Sequence, residues 1–182
     1  MTLAETIRRA QTKVPVDLEG ICREFGIRLH EAWLDTDISG ELVSIPETGS
    51  YQINVNASHS TARKRFTIAH ELGHFFLHRH LIGRGIDDDR VYRSTSAGRY
   101  HNTAIGPREE TEANRFAASL LMPQSHIVQL QRDGVLTPEA LAAKLLVSPA
   151  AMRIRLGLPV DGSRDDQFVP SGIPGDIGSV VH

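Results

Sequence analysis

The 182-residue sequence has few of the residues that define several classes of protein. Its only cysteine is Cys22, which excludes an internal disulfide framework and a thiolate-rich zinc site, so any metal ion must use nitrogen and oxygen ligands. No apolar run approaches the roughly 18 residues of a transmembrane helix. The first residues form an amphipathic pattern, unlike a secretion signal. A net charge of −2 provides no overall basic field for nucleic acids or anionic membranes. We therefore expect a cytoplasmic protein.

Hydrophobic periodicity predicts a mixture of helices and strands, followed by a helical C-terminal part. Strands are expected at 27–32, 39–45 and 51–56, the last two joined as a hairpin. A long helix follows, with Ser58 or Ser60 as its cap. Residues 81–107 show no sustained period and predict a long loop, and residues 159–182 predict a disordered tail. The other predicted helices are 2–12, 18–25, 108–122, 124–132, 136–147 and 148–158.

The most informative segment is the HExxH motif within the long helix. His70 and His74 are four residues apart, so a helix places both imidazoles on one face, where they can bind one metal ion. Glu71 follows the first histidine, where its carboxylate can act as a general base on a water molecule at the metal. We therefore predict metal-assisted hydrolysis, with His70 and His74 as ligands and Glu71 as the catalytic residue.

A catalytic zinc ion usually has three protein ligands and one open position. The third ligand is expected from helix 108–122, whose first turn contains Glu109, Glu110 and Glu112. Glu110 is favoured because Asn114 lies four residues later on the same face and can hydrogen-bond a ligating histidine. Glu112 and then Glu109 remain alternatives, and so does a pairing of His74 with His78.

Two segments resemble the motifs of the ImmA/IrrE family of zinc metallopeptidases: RFTIAHELGHFFLH (65–78) and EETEANRFAASLLMP (109–123). The similarity spans about residues 15–160. It implies a gluzincin-like α+β fold, with a small twisted β-sheet packed on the HExxH helix and on a second, glutamate-bearing helix. It also implies Zn²⁺ held by His70, His74 and Glu110. The expected organisation is a metallopeptidase core (1–123), a helical C-terminal subdomain (124–158) and a tail (159–182).

The sequence also suggests, less specifically, how a substrate is held. Tyr92, Tyr100 and His101 in the predicted loop are candidates for stabilising an oxyanion, by position alone. Strand 51–56 is either an edge that pairs with a substrate peptide or an ordinary inner strand.

The resemblance implies a protein substrate, in particular a separate Xre-type helix-turn-helix repressor whose cleavage relieves repression of stress, phage or mobile-element genes. The alternative is a zinc-containing regulatory or antitoxin-like protein that binds a partner without cleaving it. The C-terminal helices themselves have a helix-turn-helix pattern, but their basic residues are few (Lys144, Arg153 and Arg155). Direct DNA binding is therefore not expected.

Overall fold

A computed structural model describes residues 2–45, 47–82 and 105–160, together with the backbone of 91–95. It confirms the α+β fold. Seven α-helices and four strands lie in the described residues: α1 (Leu3–Ala10), α2 (Leu18–Glu24), β1 (Ile27–Ala32), β2 (Ile38–Ile45), β3 (Ser50–Asn56), α3 (Thr61–Leu77), β4 (Val91–Thr95), α4 (Pro107–Leu121), α5 (Gln124–Arg132), α6 (Pro138–Leu145) and α7 (Pro149–Arg155). A short 3-10 helix, Arg79–Leu81, follows α3.

The strands form one sheet in the order β1-β3-β2-β4. β3 pairs in parallel with β1 and antiparallel with β2, which confirms the predicted hairpin. Because β3 is flanked on both sides, its backbone cannot accept a substrate peptide, and of the two alternatives for 51–56 the inner strand is correct. The prediction of an unstructured 81–107 is wrong in part, since β4 pairs antiparallel with β2. The predicted tail lies outside the described residues from position 161 onward.

Side-chain caps define where the C-terminal and metal-motif helices begin. Ser60, one of the two predicted caps of α3, accepts a hydrogen bond from the backbone N–H of Arg63. Ser148 caps α7 in the same way, as predicted. These hydroxyls satisfy donors that the first helical turn leaves without intrahelical partners. The registers of α3 and α7 are thereby fixed by local sequence.

Helix α3 packs against β2 and β3 on one side and against α4 on the other. The two helices α3 and α4 approach each other closely at Gly73. A Cβ atom built there would lie 3.0 Å from the Cα of Ala113 and 3.1 Å from its carbonyl oxygen. The glycine of the HELGH segment therefore allows backbone-to-backbone contact. This contact sets the distance between the two helices that carry the motif residues.

The C-terminal helices share their buried residues with the rest of the protein. Leu141 and Leu145 of α6 and Met152 of α7 belong to the same buried cluster as Leu42 and Leu72. The division into a core and a C-terminal subdomain at residue 123 stays a prediction. No helix among the described residues is both long and apolar enough to cross a bilayer.

We predict that Gly73→Val will reduce stability by about 1–3 kcal/mol, because the added methyl groups overpack the contact with Ala113. Urea denaturation followed by circular dichroism measures the change. Ala143→Val, at an exposed position of α6, is the control for valine in a helix and should cost well under about 1 kcal/mol. Equal losses in the two variants would contradict a tight contact at Gly73.

Candidate metal centre

Three side chains converge between α3 and α4. The Nε2 atoms of His70 and His74 lie 3.0 Å apart. The Glu110 carboxylate lies 3.2 Å from the Nε2 of His70 and 3.1 Å from that of His74. All three residues are buried, and their ligand atoms are close enough together to share a metal ion. The structure thus brings together the three residues that the sequence singles out as ligands, while their role as ligands stays a prediction.

Each of the two helices presents a pair of residues four positions apart to the cluster. On α3 this spacing stacks His70 and His74, and on α4 it places Glu110 and Asn114 on the face that meets them. The Oδ1 atom of Asn114 lies 2.8 Å from the Nδ1 of His70. Because an amide oxygen can only accept, His70 donates from Nδ1, and in a neutral ring its Nε2 lone pair then faces the cluster. Asn114 therefore orients His70 for metal binding.

The remaining candidates lie around this cluster. Glu112 contacts His78, with 3.0 Å between its Oε2 and the ring Nε2, and His78 in turn contacts His74. Glu109 accepts a hydrogen bond from the backbone N–H of Gly106 and so caps α4. Both glutamates are thus engaged elsewhere, and Glu110 is the one of the three that faces the two motif histidines.

Burial disfavours protonation of the histidine at position 74, and the charge of Glu110 favours the binding of a metal cation at this cluster. Burial lowers the pKa of His74 to about 4, so the ring resists protonation. Burial alone would raise the pKa of Glu110, but its interactions with the neighbouring imidazoles of His70 and His74 outweigh burial and hold that pKa below its usual range. Two nitrogen atoms and one ionised carboxylate oxygen are a typical ligand set for zinc. The residues present therefore fit a divalent cation.

Glu71 is the least satisfied polar group near the cluster. Its side chain is fully buried, and neither carboxylate oxygen has a hydrogen-bond partner among the described residues. Burial raises the pKa of Glu71 well above its usual value, and the negative charges of Glu110 and Glu41 raise it further. A nearby cation would reverse that repulsion, so Glu71 also fits a site that binds a metal ion and a polar ligand.

The structure also identifies roles that the sequence analysis missed. The close approach at Gly73 and the contact of Glu112 with His78 were not predicted. The sequence signal for the close approach is a small residue near the centre of each of the two motif helices. Of the oxyanion candidates, Tyr92 lies in β4 opposite Leu42, and Tyr100 and His101 lie outside the described residues.

We predict that Glu71→Gln will stabilise the metal-free protein by about 1–3 kcal/mol at pH 8, because a neutral amide costs less to bury than a carboxylate without partners. Urea denaturation in the presence of a chelator measures the difference. Glu19→Gln, at an exposed site, is the matched control and should change stability by less than about 0.5 kcal/mol. A destabilised Glu71→Gln protein would show that the carboxylate has a stabilising partner.

Comparison with known proteins places these residues in a family. The family model Peptidase_M78, described as the IrrE N-terminal-like domain, matches residues 22–157, which include α3, α4 and the C-terminal helices. A search of curated proteins found no significant match. The matched region covers most of the chain and contains both motif helices. The protein therefore belongs to the IrrE N-terminal-like family of metallopeptidases.

Proposed function

We propose that the protein is a zinc-dependent metallopeptidase in which His70, His74 and Glu110 bind the ion and Glu71 is the catalytic residue. The observation that carries the proposal is the buried Glu71 carboxylate. It has no partner among the described residues, yet it follows directly on a candidate ligand and lies close enough to Glu110 for that charge to raise its pKa. An unpartnered buried carboxylate is costly, and general-base catalysis gives it a use.

A zinc ion at this position would supply Lewis acidity, which polarises the scissile carbonyl and makes a water molecule acidic near neutral pH. The protein's contribution is to hold three ligand atoms on two packed helices. Two ligands come from successive turns of α3 and the third from the first turn of α4. A fourth position is then left for water and substrate.

Glu71 is proposed to accept the proton of the attacking water and then to donate it to the amine that leaves. The attack forms a bond between the water oxygen and the carbonyl carbon, and the C–N bond breaks as the amine takes up the proton. A raised pKa suits this task, because it makes the carboxylate a stronger base than an ordinary glutamate. The oxyanion partner stays open among Tyr92, Tyr100 and His101.

Membership of a peptidase family implies a protein substrate. We propose an Xre-type repressor, cleaved to relieve repression of stress, phage or mobile-element genes. Direct DNA binding by α6 and α7 is disfavoured because their arginines are engaged internally. Arg153 binds Glu139, and Arg155 donates to the carbonyl oxygen of Met122. These helices then serve packing or recognition of the repressor rather than phosphate binding.

We predict that Glu71→Gln will bind zinc with nearly unchanged affinity but lose peptidase activity by at least about 100-fold, because the base is removed while the ligands remain. Zinc content by mass spectrometry and cleavage by gel electrophoresis measure the two effects. Glu19→Gln should retain full activity. If cleavage by Glu71→Gln persists at the wild-type rate, Glu71 is not the base.

The second function is a regulatory or antitoxin-like protein that binds its partner through a zinc-stabilised surface without cutting it. Co-incubation with a purified Xre-type repressor separates the two. We predict discrete repressor fragments with zinc-loaded protein and none with a chelator or with Glu71→Gln. Parallel loading with manganese tests whether zinc is the active ion. A stable complex with an intact repressor under all conditions would favour the regulatory function.

A further inference from the structure

We propose that Glu112 and His78 form a hydrogen-bonded relay that fixes which nitrogen of His74 faces the metal ion. The inference rests on the proposed metal site and adds two positioning residues to it. The relay runs from the carboxylate of Glu112 on α4, through the ring of His78 at the end of α3, to the ring of His74. It supplies His74 with the support that Asn114 supplies to His70.

The direction of each hydrogen bond follows from the chemistry at the Glu112 end. Arg108, a permanent cation, donates from its Nε to the Oε1 of Glu112 over 2.9 Å, so Glu112 is held as a carboxylate, which can only accept. His78 therefore donates from Nε2 over 3.0 Å, and in the tautomer that carries its one proton there the Nδ1 is an acceptor. His74 then donates from its Nδ1 over 3.1 Å. The lone pair of His74 is thereby placed on Nε2, the atom that faces Glu110.

Burial explains why this placement matters. His74 and His78 are 0 % and 3 % exposed, so water does not readily replace the hydrogen-bond partners of either ring. A ring held in the other tautomer would present an N–H to the cluster and repel a cation. The Glu112 end is more open, with 39 % of its side chain exposed, and it also pairs with the exposed Arg108. The relay thus connects a buried ligand to a charge near the surface.

Helix α4 supplies supporting residues for both motif histidines in this arrangement. Glu110, Glu112 and Asn114 occupy alternate positions of α4. Glu110 contacts both rings at Nε2, Asn114 contacts His70 at Nδ1, and Glu112 reaches His74 through His78. Both tautomers are therefore fixed by the docking of α4 on α3.

Glu112→Lys tests the relay by reversing its polarity. The ammonium group would donate to the Nε2 of His78, so His78 would donate to His74, and the proton of His74 would move to Nε2. Glu109→Lys is the charge-matched control, because Glu109 lies near His78 without bonding to it, and circular dichroism checks that loss of its cap at Gly106 leaves α4 folded. Zinc affinity is measured by competition with a chromophoric chelator. We expect a loss of about 10–100-fold for Glu112→Lys and less than about threefold for the control.

His78→Asn separates hydrogen bonding from packing and charge. The amide oxygen of asparagine can occupy the place of the His78 Nδ1 and accept from His74, but it has no link to Glu112. We expect His78→Asn to retain zinc affinity within about threefold, and His78→Leu, which has no acceptor, to lose about 10–100-fold. In the His78→Asn background, Glu112→Lys should have no more effect than Glu109→Lys.

Nitrogen-15 chemical shifts of the imidazole rings give a readout independent of activity. In the zinc-loaded wild type they should report a proton on Nδ1 of His74 and on Nε2 of His78, and in Glu112→Lys the proton of His78 should lie on Nδ1 instead. Equal zinc affinities for wild type, Glu112→Lys and His78→Leu, with unchanged shifts, would overturn the relay and leave the metal site standing. A wild type that binds no zinc would overturn the metal site, and the relay with it.

Discussion

The close contact between α3 and α4 at Gly73 is the constraint on which the candidate site depends. Each helix contributes an i, i+4 pair to the cluster, and the pairs meet only because the backbones approach within contact of Ala113. A larger residue at Gly73 would separate the helices, and distances of 3.0–3.2 Å between ligand atoms leave little tolerance. Gly73, which has no side chain, therefore determines the geometry of His70, about one turn before it, and of His74, directly after it.

The local parts of this arrangement were predictable from the sequence, and the non-local parts were not. Helical spacing identified His70, His74 and the pairing of Glu110 with Asn114, because these depend on the periodicity of single helices. β3 lies inside the sheet because it pairs in parallel with β1. The two strands are separated by β2 in the sequence, so no local pattern encodes their pairing. β4 was missed because a short strand inside a glycine-rich segment has too few residues to establish a period.

Orientation of the ligands is a separate problem from bringing them together. A neutral imidazole has one donor and one acceptor nitrogen, so a histidine in the right place still fails as a ligand if its proton faces the ion. His70 has a buried amide at its outer nitrogen, and His74 has a second histidine. This difference explains why the helix continues the four-residue spacing to His78 although His78 is not needed as a ligand. It also gives Glu112, which the sequence ranked as an alternative ligand, a role of its own.

The free-energy cost of burying the Glu71 carboxylate distinguishes a hydrolytic function from a function in binding alone. A protein that used zinc only to stabilise a binding surface would gain from a neutral or apolar side chain at this position, because a buried carboxylate without partners is destabilising. His70, His74 and Glu110 would hold the ion equally well without it. A residue that costs stability, lies beside the buried cluster and is unnecessary for metal binding is better explained by catalysis. The placement of one unpaired carboxylate is therefore the strongest structural argument for an enzyme.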